Sequence, residues 1–175
     1  GLVLLTVGAA CGLLLTWMVG WTVLWLGLAG AAAVVFYSAG PLPLKRLALG
    51  DLTVGVCFAP LGALGAWLVQ TGECSWLPVT WSLPLALLVT AILHGNNWRD
   101  RRYDRALGIR TVANTIGERA SPVYYTFLVT GAYLLVAAAV AAPDGAPRFL
   151  SMPWPFLFAW LSAPLAVQAL RTAWG

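Results

Sequence analysis

The sequence predicts an all-α, multi-span transmembrane helical bundle of about six spans, and three observations lead there. Of 175 residues, 61 % are hydrophobic and 9 % charged, with ten Trp and a clearly positive mean hydropathy, far outside the range of soluble domains. The apolar residues fall into runs close to the roughly 20 helical residues that cross a hydrocarbon core of about 30 Å. Nearly all Lys and Arg lie in connections on one side of those runs, as topogenic charges should. The net charge of +4 therefore reports membrane orientation, and no nucleic-acid partner is expected.

The first run covers about residues 1 to 18 and shows no signal-peptide pattern, lacking a basic lead and a recognisable cleavage site. The second covers about 21 to 38, with only Gly20 and its neighbours between them. Next comes a basic connector, Gly40-Pro-Leu-Pro-Leu-Lys-Arg46, whose prolines exclude a continuous helix. The third run, about 50 to 70, carries Gly55, Gly62, Ala63 and Gly65, small residues that let neighbouring helices approach. The fourth, about 81 to 95, ends in a dense polar stretch; the fifth and sixth cover about 122 to 142 and 154 to 170. This count places Lys45, Arg46, Arg99, Arg101, Arg102, Arg105, Arg110, Arg119 and Arg171 on one side, expected to be cytoplasmic, and leaves Arg148 for the other. Cys11, Cys57 and Cys74 are far apart and in no metal-ligand spacing, so they read as small hydrophobes.

The polar stretch from His94 to Thr111 carries the chemistry. If helical, Asn96 or Asn97, Asp100 and Asp104 fall three or four residues apart and share one face. Two carboxylates one turn apart, backed by an amide at a water-accessible helix end, suit Mg²⁺, which takes one or two protein carboxylates and completes its shell with water and phosphate oxygens. The simpler reading is a solvated loop whose Asp and Arg residues neutralise each other. Lys45 suits a phosphate as a point charge, and Arg99, Arg101, Arg102 or Arg110 as planar forks; Lys45 and Arg46 also read as topogenic charges alone. Asp51, opening the third run, reads as a helix cap or a site residue. His94 reads as a donor to a substrate oxygen or as an imidazole reaching the interface. The Tyr37 hydroxyl faces either headgroups or a cavity.

The run Asn96-Asn-Trp-Arg-Asp-Arg-Arg-Tyr-Asp-Arg-Ala-Leu-Gly-Ile-Arg-Thr-Val-Ala113, with Ile116-Gly117 after it, resembles the second aspartate-rich motif of the UbiA superfamily of intramembrane prenyltransferases. Tyr37-Ser-Ala-Gly-Pro-Leu-Pro-Leu-Lys45, Leu49-Gly-Asp51, Val69-Gln-Thr-Gly72 and Ala91-Ile-Leu-His-Gly-Asn-Asn97 agree in order and spacing, and the set is most similar to the menaquinone (vitamin K2) branch. The resemblance implies an all-helical fold, usually of nine spans around a central cavity, of which these runs match the third to eighth. It implies Asn97, Asp100 and Asp104 as ligands of Mg²⁺ and diphosphate, Lys45 on the diphosphate, and Tyr37 nearby. Asn96, Arg99, Arg110, Asp51 and His94 complete the expected substrate-binding set. The implied reaction is loss of diphosphate from a polyprenyl diphosphate to give an allylic cation, attacked by an electron-rich aromatic quinone precursor.

The pattern also departs from the family. A first aspartate-rich motif is expected before the span that opens this chain and is not in it, so the chain is expected to be an N-terminally truncated piece, inactive alone. Arg101 and Arg102 stand where the family often has an acid, and Ile109 where many relatives carry Lys. The added positive charge should weaken Mg²⁺ binding and favour diphosphate. Competing expectations are a non-catalytic membrane module that binds isoprenoid lipid or a protein partner, and a small transporter, which would want ionisable groups at mid-span that these runs hardly offer. The expected location is an integral, multi-pass position in the lipid bilayer, in endoplasmic reticulum or Golgi if eukaryotic and plasma membrane if bacterial.

Overall fold

A computed structural model describes residues 2–38, 43–44 and 47–175, which are mostly helical, with no strand among them. Lys45 and Arg46, expected to bind phosphate or set topology, lie outside the described residues.

Helices α1 (Leu2–Val19) and α2 (Trp21–Ser38) form a hairpin. Gly20 makes the turn at φ +126, a conformation closed to side-chain-bearing residues, and its N–H still donates to the Thr16 carbonyl. Helix α3 (Gly50–Thr71) is long and apolar enough to span a bilayer. It is interrupted by a π-helical turn at Cys57–Leu61 that contains Pro60. Proline lacks the N–H that an α-helical turn needs and its ring crowds the preceding turn, so the helix widens there. Gly72 then closes α3 in the left-handed conformation at φ +76, its N–H on the Leu68 carbonyl.

A short helix, α4 (Trp76–Trp81), leads into α5 (Leu83–Arg99), which runs four residues past the apolar stretch and so carries Asn96 and Asn97 inside the helix. A turn at Asp100 follows, then α6 (Arg101–Ala106) and α7 (Val112–Ile116). Helices α8 (Ser121–Val140) and α9 (Trp154–Trp174) are likewise long and apolar enough to span a bilayer, α9 with its first nine residues in 3₁₀ geometry. Shorter apolar helices accompany these three.

Helix α5 is central, packing most extensively on α8 and next on α3. Ala91, Leu128 and Val129 make the buried core, flanked by Leu87, Tyr124, Tyr125 and Tyr133. Of the small residues in α3, Gly55 is the one that permits close approach: a Cβ there would sit 2.6 Å from Thr90 Oγ1, whereas one at Gly65 would meet nothing within 4 Å. That contact brings the first turn of α3 against α5 and fixes where Asp51 points.

The outer surface is apolar. Leu4 is 77 % exposed and Trp17 84 %, and α1 and α2 have no buried residue among those described. Such surface is stable only against hydrocarbon, so the chain is an integral membrane protein. Charge divides between the two ends of the bundle. Trp174 Nε1 donates to Thr126 Oγ1 at 3.0 Å, which places Arg171 at the same end as the 100–120 segment. Trp81 Nε1 donates to the Ser151 carbonyl at 3.0 Å, Thr80 Oγ1 donates to the Phe149 carbonyl, and Met152 N–H donates to the Ala139 carbonyl; together they assemble the opposite end, where Arg148 lies.

Candidate functional site

The polar end holds a cavity of about 150 Å³ between the end of α2, the start of α3, the end of α5 and the α6–α7 segment. Tyr37, Asp51, Asn97 and Asp104 supply its polar wall, and Gly50, Ile109, Thr111 and Val112 the remainder.

Asp51 sits in the first turn of α3, 3 % exposed. The cap position of that helix, Leu49, makes no side-chain cap, and the Asp51 carboxylate turns instead toward α5. Asn97 Nδ2 donates to Asp51 Oδ1 at 3.4 Å, and His94 Nδ1 lies 3.4 Å from Oδ2. Thr90 Oγ1 lies 3.4 Å from the Asp51 carbonyl while its proton goes to the Ala86 carbonyl at 2.8 Å. His94 is fully buried and does not line the cavity; it stands behind Asp51, which excludes an imidazole reaching the interface.

The three positions expected to share one helical face separate at Asp100. Backbone bonds continue through the turn, from Asp100 N–H to the Asn96 carbonyl and from Asp104 N–H to the Asp100 carbonyl, both at 3.0 Å. Asn97 and Asp104 line the cavity, while Asp100 is held by its neighbour: Arg99 Nε and Nη2 donate to the two carboxylate oxygens at 2.9 and 3.0 Å. That guanidinium holds the Asp100 carboxyl below its ordinary value. Asp104 goes the other way: burial first, and the Asp100 charge second, raise its carboxyl. Asn96 and Arg99 are exposed and do not line the cavity.

The far wall is folded. Thr111 Oγ1 accepts from Asn114 N–H at 3.2 Å and Asn114 Oδ1 accepts from Thr111 N–H at 3.0 Å, a reciprocal capping box that starts α7. Arg101 Nη2 donates to Glu118 at 2.8 Å, and Arg105 Nη2 to the Asn114 carbonyl at 3.1 Å. Ala48 N–H donates to the Arg110 carbonyl at 2.8 Å, joining the connector to this segment. Behind Ile109 opens a groove of about 400 Å³ lined by Arg105, Gly108, Arg110, Asn114 and Thr115, and this is where Arg110 lies. Toward the other end, α1, α2 and α3 enclose an apolar crevice of about 540 Å³ that includes Gly12, Leu15, Gly27, Gly62 and Gly65.

The cavity wall suits a hard cation by its donors. Asp51 and Asp104 offer carboxylates, Asn97 an amide and Tyr37 a phenol, and buried Asp51 Oδ2 has no hydrogen-bond partner among the described residues. Among the described residues no three His, Cys, Asp or Glu side chains cluster as a metal site, so the wall's oxygen donors are two carboxylates, one amide and one phenol.

The profile of the UbiA prenyltransferase family matches residues 1–175. The chain is 36 % identical over 171 residues to UbiA prenyltransferase domain-containing protein 1 of Danio rerio, covering 96 % of this chain and 49 % of that protein. It is 36 % identical over 137 residues to the Homo sapiens protein of the same name, covering 77 % and 40 % respectively. With the Drosophila melanogaster homolog it shares 42 % over 106 residues, covering 61 % and 30 %. The chain spans about half, or less, of the length of these curated relatives. With the family profile running the whole length of a lipid-exposed helical bundle, the chain belongs to the UbiA prenyltransferase family.

Proposed function

We propose that this chain carries the diphosphate-binding end of a prenyltransferase that moves a polyprenyl group from its diphosphate to a naphthoquinone-type aromatic acceptor, in menaquinone (vitamin K2) biosynthesis. The observation that carries the reading is the meeting of Asp51, Asn97, Asp104 and Tyr37 in one cavity at the polar end of the apolar bundle. Asn97 and Asp104 would hold Mg²⁺, with Asp51 beside them. When bound, Mg²⁺ supplies positive charge that stabilises the departing diphosphate.

The chain's own residues do the rest. Arg105 and Arg110 form the basic groove next to the cavity, where guanidinium forks bind phosphate oxygens. The allylic C–O bond breaks with its electron pair leaving on the diphosphate. The aromatic ring then forms the new C–C bond, and the ring proton displaced there passes to the departed diphosphate. Around the cation the apolar helices exclude water, which would otherwise capture it as an alcohol. Arg99 restrains Asp100, so Asp100 joins the ligand set only by exchanging its fork for the cation.

The test is prenyl transfer by the full-length gene product to menadiol, 1,4-dihydroxy-2-naphthoate and 4-hydroxybenzoate, with and without Mg²⁺. The expected result is Mg²⁺-dependent transfer to one of the first two, lowered at least about 100-fold in Asp104→Ala. Turnover unchanged in Asp104→Ala would reject the site. One observation favours a second reading, a membrane module that binds isoprenoid lipid or a partner without turnover: Asp100 is neutralised by Arg99. That module would bind prenyl diphosphate and release it unreacted.

A further inference from the structure

Behind the cavity wall lies a polar pair that the proposed chemistry leaves unused. Asp51 is 3 % exposed and His94 0 %. Residues of similar volume without charge would fill this space without the desolvation that an ionisable pair suffers in an apolar bundle. The geometry also has a direction. His94 and Asn97 lie three residues apart on α5, on one face, and each approaches a different oxygen of the Asp51 carboxylate at 3.4 Å. The imidazole packs against aromatic rings, with the Tyr124 ring edge-on at 4.7 Å and 79° and the Trp98 ring tilted at 6.5 Å. Among the described residues, neither imidazole nitrogen nor Asp51 Oδ2 completes a hydrogen bond, although all three atoms are buried. Asp51 reaches the cavity and His94 does not.

We propose that His94 is a positioning residue: through Nδ1 it sets the rotamer of Asp51, so that this carboxylate joins Asp104 as an additional oxygen ligand for a divalent cation bound to diphosphate. The inference rests on the prenyl-transfer reading and deepens its binding site. An aspartate side chain has several staggered conformers, and a held neighbour that selects one preorganises the ligand before the cation arrives. Outer partners of this kind alter cation affinity by about 10- to 100-fold.

The experiment measures binding of Mn²⁺ with inorganic pyrophosphate to the full-length protein in detergent by calorimetry, alongside the thermal midpoint. His94→Phe keeps a ring against Tyr124 and removes both nitrogens; it is expected to weaken binding about tenfold or more. His94→Asn returns a donor near the place of Nδ1 and is expected to recover part of that loss. Wild-type affinity in His94→Phe overturns the positioning role, as does equal weakening in both variants at unchanged thermal midpoints. If His94→Phe does not fold, Asp51→Asn serves: weakened binding that His94→Asn worsens no further supports the shared path, and wild-type binding overturns it. A wild-type protein that binds no Mn²⁺–pyrophosphate overturns the prenyl-transfer reading together with the inference, whereas normal wild-type binding with indifferent variants removes the inference alone.

Discussion

Asp104 and Asp100 differ in what surrounds them, and their protonation follows. Burial and the Asp100 charge raise the Asp104 carboxyl, so native Asp104 keeps its proton to higher pH than the unfolded chain does. The native state then binds more protons across that window, and this group makes stability fall as pH rises through it. Asp104→Asn should flatten that slope, read from thermal midpoints across the acidic range. Cation binding has the opposite sign, because only the ionised carboxylate is a ligand: affinity should rise with pH through the raised value. Arg99→Gln is expected to free Asp100 and strengthen Mn²⁺ binding several-fold, by about the weight of one added carboxylate; weaker binding would show that the guanidinium serves the ligand instead. The sequence places Asn97, Asp100 and Asp104 on one helical face, but spacing does not say which carboxylate a neighbouring guanidinium will take. Arg99 takes Asp100, and burial selects Asp104.

At the scale of helices, the site depends on how closely α3 meets α5. Gly55→Ala would put a methyl 2.6 Å from Thr90 Oγ1, a hydroxyl already donating to the Ala86 carbonyl at 2.8 Å. The expected loss is about 1–3 kcal/mol, and Thr90→Ala in the same chain should return part of it, since the clashing atom is gone. A double-mutant cycle with no coupling would dismiss the contact. Thr111→Ala removes one half of the capping box that starts α7, at an expected cost of about 1 kcal/mol of local stability. It should also loosen the cavity wall that Thr111 and Val112 form, read as faster amide exchange over 111–116. Most helices were legible from apolar run lengths, from Gly20 and from the prolines of the basic connector. The end of α5 was not: a hydropathy window stops at the first polar residues, while the backbone ladder continues through Asn96 and Asn97 to Arg99. Thr111-x-x-Asn114 is a helix-start signature that could have revealed α7, and with it the folded wall. Partnership between Asp51 and His94, 43 positions apart by their numbering, has no local signal at all.

For the whole molecule, the two-ended distribution of charge is both legible in the sequence and visible in the packing. Lys and Arg counts alone divide the ends, and the Trp174–Thr126 and Trp81–Ser151 contacts build them. In a chain with Cys11, Cys57 and Cys74 replaced, Glu118→Cys and Arg148→Cys should react with an impermeant thiol reagent from opposite faces of sealed vesicles. Labelling from the same face would remove α8 as a span. The π-helical turn at Cys57–Leu61 has a consequence for this architecture. One surplus residue in a turn advances everything after it by about 100° around the axis. The two halves of α3 therefore aim in different directions: Asp51 looks into the polar cavity, while Gly62, Gly65 and Ala66 look toward the α1–α2 hairpin. A single-residue deletion inside Cys57–Leu61 would rewind the rod into one phase, leaving either the carboxylate or the greasy crevice facing the wrong neighbour.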